Sequence, residues 1–342
     1  MGLREANEGG QGRQAGSSDP LLEAFRWMLT ARLLDDRLAA MYRAGSIYGG
    51  VFLGKGQEAL SVALGQALLP TDVYAPLIRD GAGRLAFGET IHDALRNCLG
   101  SPQGPMRARD GNVHRGRPRE GYLPMLSHLG AMISVVGGTL LARRIKGVPM
   151  GVGATCIGDG GTSTGAFHEA INLAAVEKLP LVVVVANNHY AYSTPTEKQF
   201  ACDSLVEKAV GYGIEGHCVD GTDLVACREV VNAAVDRARN GNGPQLVVGE
   251  LLRLCGHGEH DDANYIAEDL KNSRQGRDCI EVAQEYLTSQ GHASRDTLDT
   301  IRTQALEAIE QAVSEVTQEA APQATNYDWC ALATRRLADP AH

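Results

Sequence analysis

Two short stretches carry residues that can hold a metal-bound phosphate. The first is Gly158-Asp159-Gly160-Gly161-Thr162, which follows the apolar run GVGATCI and opens a helical pattern with Phe167, Ile171 and Leu173 or Ala174 inward. Asp159 offers a hard carboxylate oxygen suited to Mg²⁺. The glycines let the backbone approach a ligand, and the N–H groups that open a helix attract phosphate. The second stretch is Asn187-Asn188-His189-Tyr190, at the end of the next apolar run, residues 181–186. If the two runs are adjacent parallel strands, both stretches fall on one edge of the sheet. An amide oxygen from Asn188 can then complete a cation held by Asp159 and a diphosphate. A lone G-D-G suits a turn as well as a site; its pairing with Asn-Asn at the tip of the next strand favours the site.

Other chemistries fit less well. Gly161-Thr162-Ser163-Thr164-Gly165 matches G-x-S-x-G, with Asp223 and His257 following in hydrolase order. A nucleophile elbow should follow its strand directly, however, and here Gly158-Asp159-Gly160 intervenes, with Asn187-Asn188 left unexplained. Gly151-Val152-Gly153 lacks the third glycine of a dinucleotide fingerprint, since Cys156 stands there. His257, His260 and Asp261 suggest a transition-metal cluster, but no further Cys or His lies at ligand spacing, so a mobile active-site loop is the better reading.

These residues need a scaffold. From residue 150 onward, the short β-branched runs GVGATCI, LVVVVA, EGHCV and PQLVVGELL alternate with helical stretches near 165–178, 203–211 and 222–239. Strands apolar on both faces and separated by helices predict a parallel sheet covered on both sides, with ligands beyond the carboxyl ends of its strands. Upstream, Asp19-Pro20 opens a helix that continues through Leu22, Phe25, Leu29 and Leu33, and a second helix is expected over 57–69. Residues 97–122 read as a long surface loop, 1–19 as a mobile tail, 20–276 as the α/β domain, and 277–342 as two closing helices and a tail.

Composition bounds the function. The 342 residues are 44% apolar and 21% charged, with a net charge of −9, which excludes a disordered chain and argues against a dedicated nucleic-acid binder. No run reaches the length of a membrane helix, and no signal-peptide core opens the chain. The eight cysteines form no C-x-x-C pair, so reduced thiols in a cytoplasmic protein are expected.

The segment IGDGGTSTGAFHEAINLAAVEKLPLVVVVANNHYAYSTPTEKQ resembles the α subunit of thiamine-diphosphate-dependent 2-oxo acid dehydrogenases. GKGQEAL (54–60), Arg79-Asp80, SHLGAMISVVGG (127–138), VDGTD (219–223) and GHGEHDD (256–262) match the same family in order, so the resemblance covers about residues 21–270. It implies a three-layer α/β/α thiamine-diphosphate-binding fold, the diphosphate-binding half of the site. Asp159 and Asn188 would ligate Mg²⁺ through side chains and Tyr190 through its carbonyl. Gly158, Gly160 and Gly161 would bind the cofactor, the last two through N–H groups on the diphosphate. Arg79 would neutralise that diphosphate. Ser127 and Leu129 would contact the aminopyrimidine, Leu129 as the apolar wedge that bends the cofactor. His257 would lie by the diphosphate and act in catalysis.

Departures from the family pattern qualify this. Ala186 replaces an arginine often found before Asn-Asn, and Ile78 replaces an aromatic residue. Gly258 stands where animal members carry a regulatory serine, so no phosphorylation control is expected there. Phe52 replaces a histidine of some pyruvate-type members. His114 and His128 lie near variable positions and read as structural. The resemblance further implies a β subunit that supplies the pyrimidine-binding half and its glutamate in an α₂β₂ assembly. It also implies a small 2-oxo acid substrate, pyruvate or branched-chain, and acyl transfer to a lipoyl domain. Acetoin dehydrogenase is the alternative; the Arg79-Asp80 stretch leans away from it. The apolar stretch 129–141 suits burial at a subunit interface.

Overall fold

The computed structural model describes residues 19–111 and 113–322. The expectations for the N-terminal tail up to residue 18 and for the last residues of the chain lie outside them.

Helix α1 (Pro20–Arg43) starts where the Asp19 side chain accepts the Leu21 N–H and proline takes the first turn. It is followed by α2 (Glu58–Ala67), the short strand β1 (Val73–Ala75), α3 (Gly81–Phe87) and α4 (Ile91–Cys98). A long connection leads to α5 (Ala131–Ile145), β2 (Gly153–Gly158), α6 (Gly165–Val176) and β3 (Leu181–Asn187). A two-stranded hairpin, β4 (Tyr190–Ala191) and β5 (Thr194–Pro195), precedes α7 (Lys208–Gly211), β6 (Glu215–Asp220), α8 (Leu224–Arg239) and β7 (Gln245–Glu250). The chain then runs through α9 (Glu268–Lys271), α10 (Cys279–Ser289) and α11 (Arg295–Thr317).

The sheet has the order β1-β2-β3-β7-β6, and every pairing is parallel. Alternate residues of one strand serve opposite faces, as the strand period requires. Val183 and Val185 pack with Ile133, Val136, Phe167 and Ile171 of α5 and α6. Val182 and Val184 pack in the cluster that holds α1, α2, α8, α10 and α11. The expected three-layer α/β/α arrangement is therefore present. Each fully buried valine of this kind contributes about 1.5–3 kcal/mol, so the central strands anchor the edge that carries the site.

Some local expectations change. Helix α5 begins at Ala131, which leaves Leu129 in the preceding loop. The expected helix over 203–211 is a 3₁₀ turn, Leu205–Glu207, followed by the single turn of α7. Residues 97–122 are not only a surface loop, because Arg115 reaches inward to Glu89 at 2.6 Å and Tyr122 bridges to Tyr74 of β1. Among the described residues no helix is long and apolar enough to cross a membrane, and none of the seven cysteines is in a disulfide.

Candidate active site

Gly158 at the end of β2 lies opposite Ala186 in β3, and Asn187 lies opposite Glu250 at the end of β7. Three neighbouring strands thus finish level, and the loops that follow them meet over one edge.

After β2 the chain turns through the 3₁₀ segment Asp159–Ser163. Asp159 is buried, and its Oδ2 accepts an N–H from Gln199 at 2.8 Å. Gln199 is carried there by the β4–β5 hairpin and also donates to Thr194 O at 2.8 Å. The same hairpin explains Gly160, since a Cβ at that position would stand 2.4 Å from the Ala191 methyl. Below the turn, Lys208 Nζ donates to the Thr162 carbonyl at 3.0 Å and hydroxyl at 2.9 Å.

After β3, His189 adopts φ +67, the left-handed region, and folds the chain back toward Asp159. One arm of the Asn188 amide lies 3.3 Å from Asp159 Oδ1 and 3.0 Å from the Tyr190 carbonyl oxygen; the other lies 3.3 Å from Gln57 Nε2. With oxygen on the first arm, three acceptors face one another, and a cation among them relieves the repulsion. With nitrogen on that arm, the amide donates to both acceptors instead. The two ends of an amide are alike in shape, so both arrangements fit the space. Among the described residues no three His, Cys, Asp or Glu side chains gather as a self-sufficient metal site. One carboxylate with amide and carbonyl oxygens, leaving positions for phosphate and water, is the ligation Mg²⁺ favours. Burial pushes the Asp159 carboxyl above its ordinary range, and a bound cation would bring it down.

The expected diphosphate partners form a second group. Arg79 is buried and donates to Leu53 O at 2.7 Å and His257 O at 2.5 Å. Arg253, just past β7, is also buried; it donates to Cys255 O at 3.0 Å and to the Tyr265 hydroxyl at 2.6 Å. Among the described residues neither guanidinium forms an ion pair with a carboxylate. Asp35, beside a cavity shared with Phe52, Ile78 and Arg79, has its carboxyl pushed up to about 7 by burial, so it is a weak counter-charge. Two buried cations without a carboxylate partner suit an anionic ligand, because an uncompensated buried charge is costly.

His257 stands against this positive pair. Its Nδ1 is 3.4 Å from Arg79 Nη2, and its ring lies between Phe52 and Tyr192, with centroids 5.5 and 4.6 Å away. Burial first, then Arg79 and Arg253, lower its pKa to about 4, so the imidazole is neutral at pH 7. Tyr192, Tyr265 and Tyr190 form a chain of aromatic contacts linking His257 to the Asp159–Asn188 group.

Ser127 and Leu129 lie on the loop before α5. Thr164 Oγ1 donates to Leu129 O at 3.3 Å, and a Cβ at Gly161 would touch the Leu129 Cβ at 3.6 Å, so this exposed leucine borders the glycine turn. His114 joins Asp110 at 2.9 Å to the Ser127 hydroxyl at 2.7 Å and so holds an expected site residue; His128 is exposed.

The hydrolase reading is not supported. Ser163 donates to Gln199 O at 2.8 Å, Asp223 caps α8, and His257 is engaged with Arg79. Sequence reasoning missed Gln57, Gln199, Lys208 and Arg253. Only Arg253 left a signal, a charge inside the apolar run ELLRLC.

Comparison with known proteins shows the family of the chain. Residues 26–325 match the family described as dehydrogenase E1 component. The α subunit of acetoin:2,6-dichlorophenolindophenol oxidoreductase from Cupriavidus necator is 35% identical, covering 89% of this chain and 91% of its own. The α subunit of 2-oxoisovalerate dehydrogenase from Bacillus subtilis is 33% identical over 87% and 90%. The pyruvate dehydrogenase E1 α subunit from Bacillus cereus is 33% identical over 88% and 79%.

Proposed function

The chain belongs to the dehydrogenase E1 component family, and from that premise we propose that it is the α subunit of a heteromeric 2-oxo acid dehydrogenase that works with thiamine diphosphate and Mg²⁺. The observation that carries the reading is the convergence of Asp159 Oδ1, the Asn188 amide and the Tyr190 carbonyl at 3.0–3.3 Å on a buried strand edge. These residues would hold Mg²⁺. Gly158, Gly160, Gly161 and Arg79 would hold the diphosphate, and Ser127 and Leu129 would meet the aminopyrimidine.

When bound, the cofactor supplies an electron sink for the pair released as carbon dioxide leaves the 2-oxo acid. This chain's part is to bind, orient and shield. The Arg79–Arg253 pair offsets ligand charge. His257, neutral at pH 7, can donate or accept a hydrogen bond beside the reacting groups without adding a further positive charge. In the net reaction the carbon–carboxyl bond breaks, the acyl carbon loses two electrons, and the lipoyl disulfide gains them as one sulfur takes the acyl group and the other a proton.

The names of the relatives as α subunits support a β-subunit partner; the α₂β₂ assembly and a lipoyl domain as acceptor rest on the resemblance of the site motifs to the 2-oxo acid dehydrogenases. The cysteines, without disulfide-like spacing, support a cytoplasmic setting. Acetoin remains the second reading because an acetoin-type relative stands at 35% identity beside 33% for the 2-oxo acid types. The test is turnover of the chain co-purified with its β subunit on pyruvate, 3-methyl-2-oxobutanoate and acetoin, with a lipoyl domain as acceptor. Reductive acylation with either oxo acid supports the main reading, acetoin alone supports the second, and no cofactor-dependent turnover overturns both.

A further inference from the structure

Gln57 caps the start of α2 and is 4% exposed, with its backbone fixed by Gln57 N–H to Gly54 O and Ser61 N–H to Gln57 O, each at 3.0 Å. Its side-chain amide ends 3.3 Å from the arm of Asn188 that points away from Asp159. Two neighbouring amides of this kind have two self-consistent states. In one, the Asn188 nitrogen donates to Gln57 Oε1, and the Asn188 oxygen turns toward Asp159 and Tyr190. In the other, Gln57 Nε2 donates to the Asn188 oxygen, and the Asn188 nitrogen turns toward those two acceptors. The first state presents three oxygens to a cation. The second satisfies the same oxygens without one.

We propose that Gln57 is a positioning residue for the cation site, an amide that turns together with Asn188 and holds the asparagine oxygen toward the metal. The inference rests on the cation reading of Asp159, Asn188 and Tyr190. It assigns Gln57 no contact with the metal; the residue acts through Asn188. Partners of this kind typically alter metal affinity by about 10–100-fold. The coupling also makes a distinct demand, since an acceptor at position 57 favours the binding state and an apolar group favours neither.

The experiment measures Mn²⁺ affinity in the assembled enzyme with thiamine diphosphate, from the electron paramagnetic resonance signal of free Mn²⁺, alongside thermal midpoints. Gln57→Met conserves volume and removes the acceptor; it should weaken Mn²⁺ about 10-fold or more. Gln57→Glu, which can only accept, should stay within about threefold of the unaltered enzyme. In an Asn188→Asp background, where the ligand has no nitrogen end to turn away, Gln57→Met should cost less than about threefold. An unchanged affinity in Gln57→Met overturns the proposal. So does equal loss in Gln57→Met and Gln57→Glu, or the same loss with Asp at 188, either of which would mark Gln57 as packing only. If the unaltered enzyme shows no saturable Mn²⁺ site, the cation reading itself fails and this inference falls with it.

Discussion

Replacing Arg79 by methionine removes the charge 3.4 Å from His257 Nδ1 and fills most of the same space. Two unit charges at about 4 Å interact by about 1 kcal/mol in water and about 4 kcal/mol at an intermediate effective dielectric. The His257 ring is half-buried, which places this pair in the lower half of that range, about 1–2 kcal/mol, or about one pKa unit. The imidazole should therefore rise from about 4 toward about 5. It should stay below its ordinary value because burial, the largest cause, and Arg253 remain. The assay is an NMR titration of labelled histidine in the purified protein, with His257 assigned from its absence in His257→Gln. The sign carries to stability. A histidine whose folded pKa lies below its unfolded value makes the unfolded state bind more protons, so stability falls as pH drops from about 6.5 toward about 4. Arg79→Met should flatten that slope, while leaving Leu53 O and His257 O without this donor at an overall cost of about 1–3 kcal/mol for each buried carbonyl. An unmoved His257 pKa, or a full return to about 6.5, would refute the reasoning.

Two further outcomes follow from the same geometry. Asp159→Asn keeps the shape that meets Gln199 but removes the one carboxylate of the oxygen cluster; Mg²⁺-dependent binding of thiamine diphosphate, followed by calorimetry, should weaken by about 10-fold or more. An unchanged affinity would remove Asp159 from the metal site. Ser163→Ala deletes a hydroxyl that only donates to Gln199 O, so steady-state turnover should fall by less than about threefold; its abolition would revive the nucleophile reading.

The sheet and the strand-tip position of the proposed cation-site residues were legible because their signals are local. Residues 181–186 are apolar on both faces, as a central parallel strand must be, and Asp159 and Asn188 are polar residues at the tips of two such strands. What stayed hidden depends on distant partners. β1 is three residues long and is recognisable only from its pairing with β2 and the bridge from Tyr74 to Tyr122. Gln57 and Gln199 are ordinary residues in sequence and become site residues only where α2 and the β4–β5 hairpin close over the strand ends. Leu129, included in an apolar stretch that reads as helix, lies outside α5 because Gly130, at φ +87, sets the helix start after it. The His114–Ser127 contact likewise arises from the folding back of the long connection before α5.

The central claim is that this chain is half of a thiamine-diphosphate enzyme whose cation lies among Asp159, Asn188 and Tyr190. Native mass spectrometry of the chain recovered from its own cells tests it most directly. The account predicts a heterotetramer with a second subunit, whose mass includes thiamine diphosphate and Mg²⁺, with the occupancy of both lowered in Asp159→Asn. A homo-oligomer without cofactor, or a complex whose cofactor and Mg²⁺ occupancy is undiminished in that variant, would contradict it.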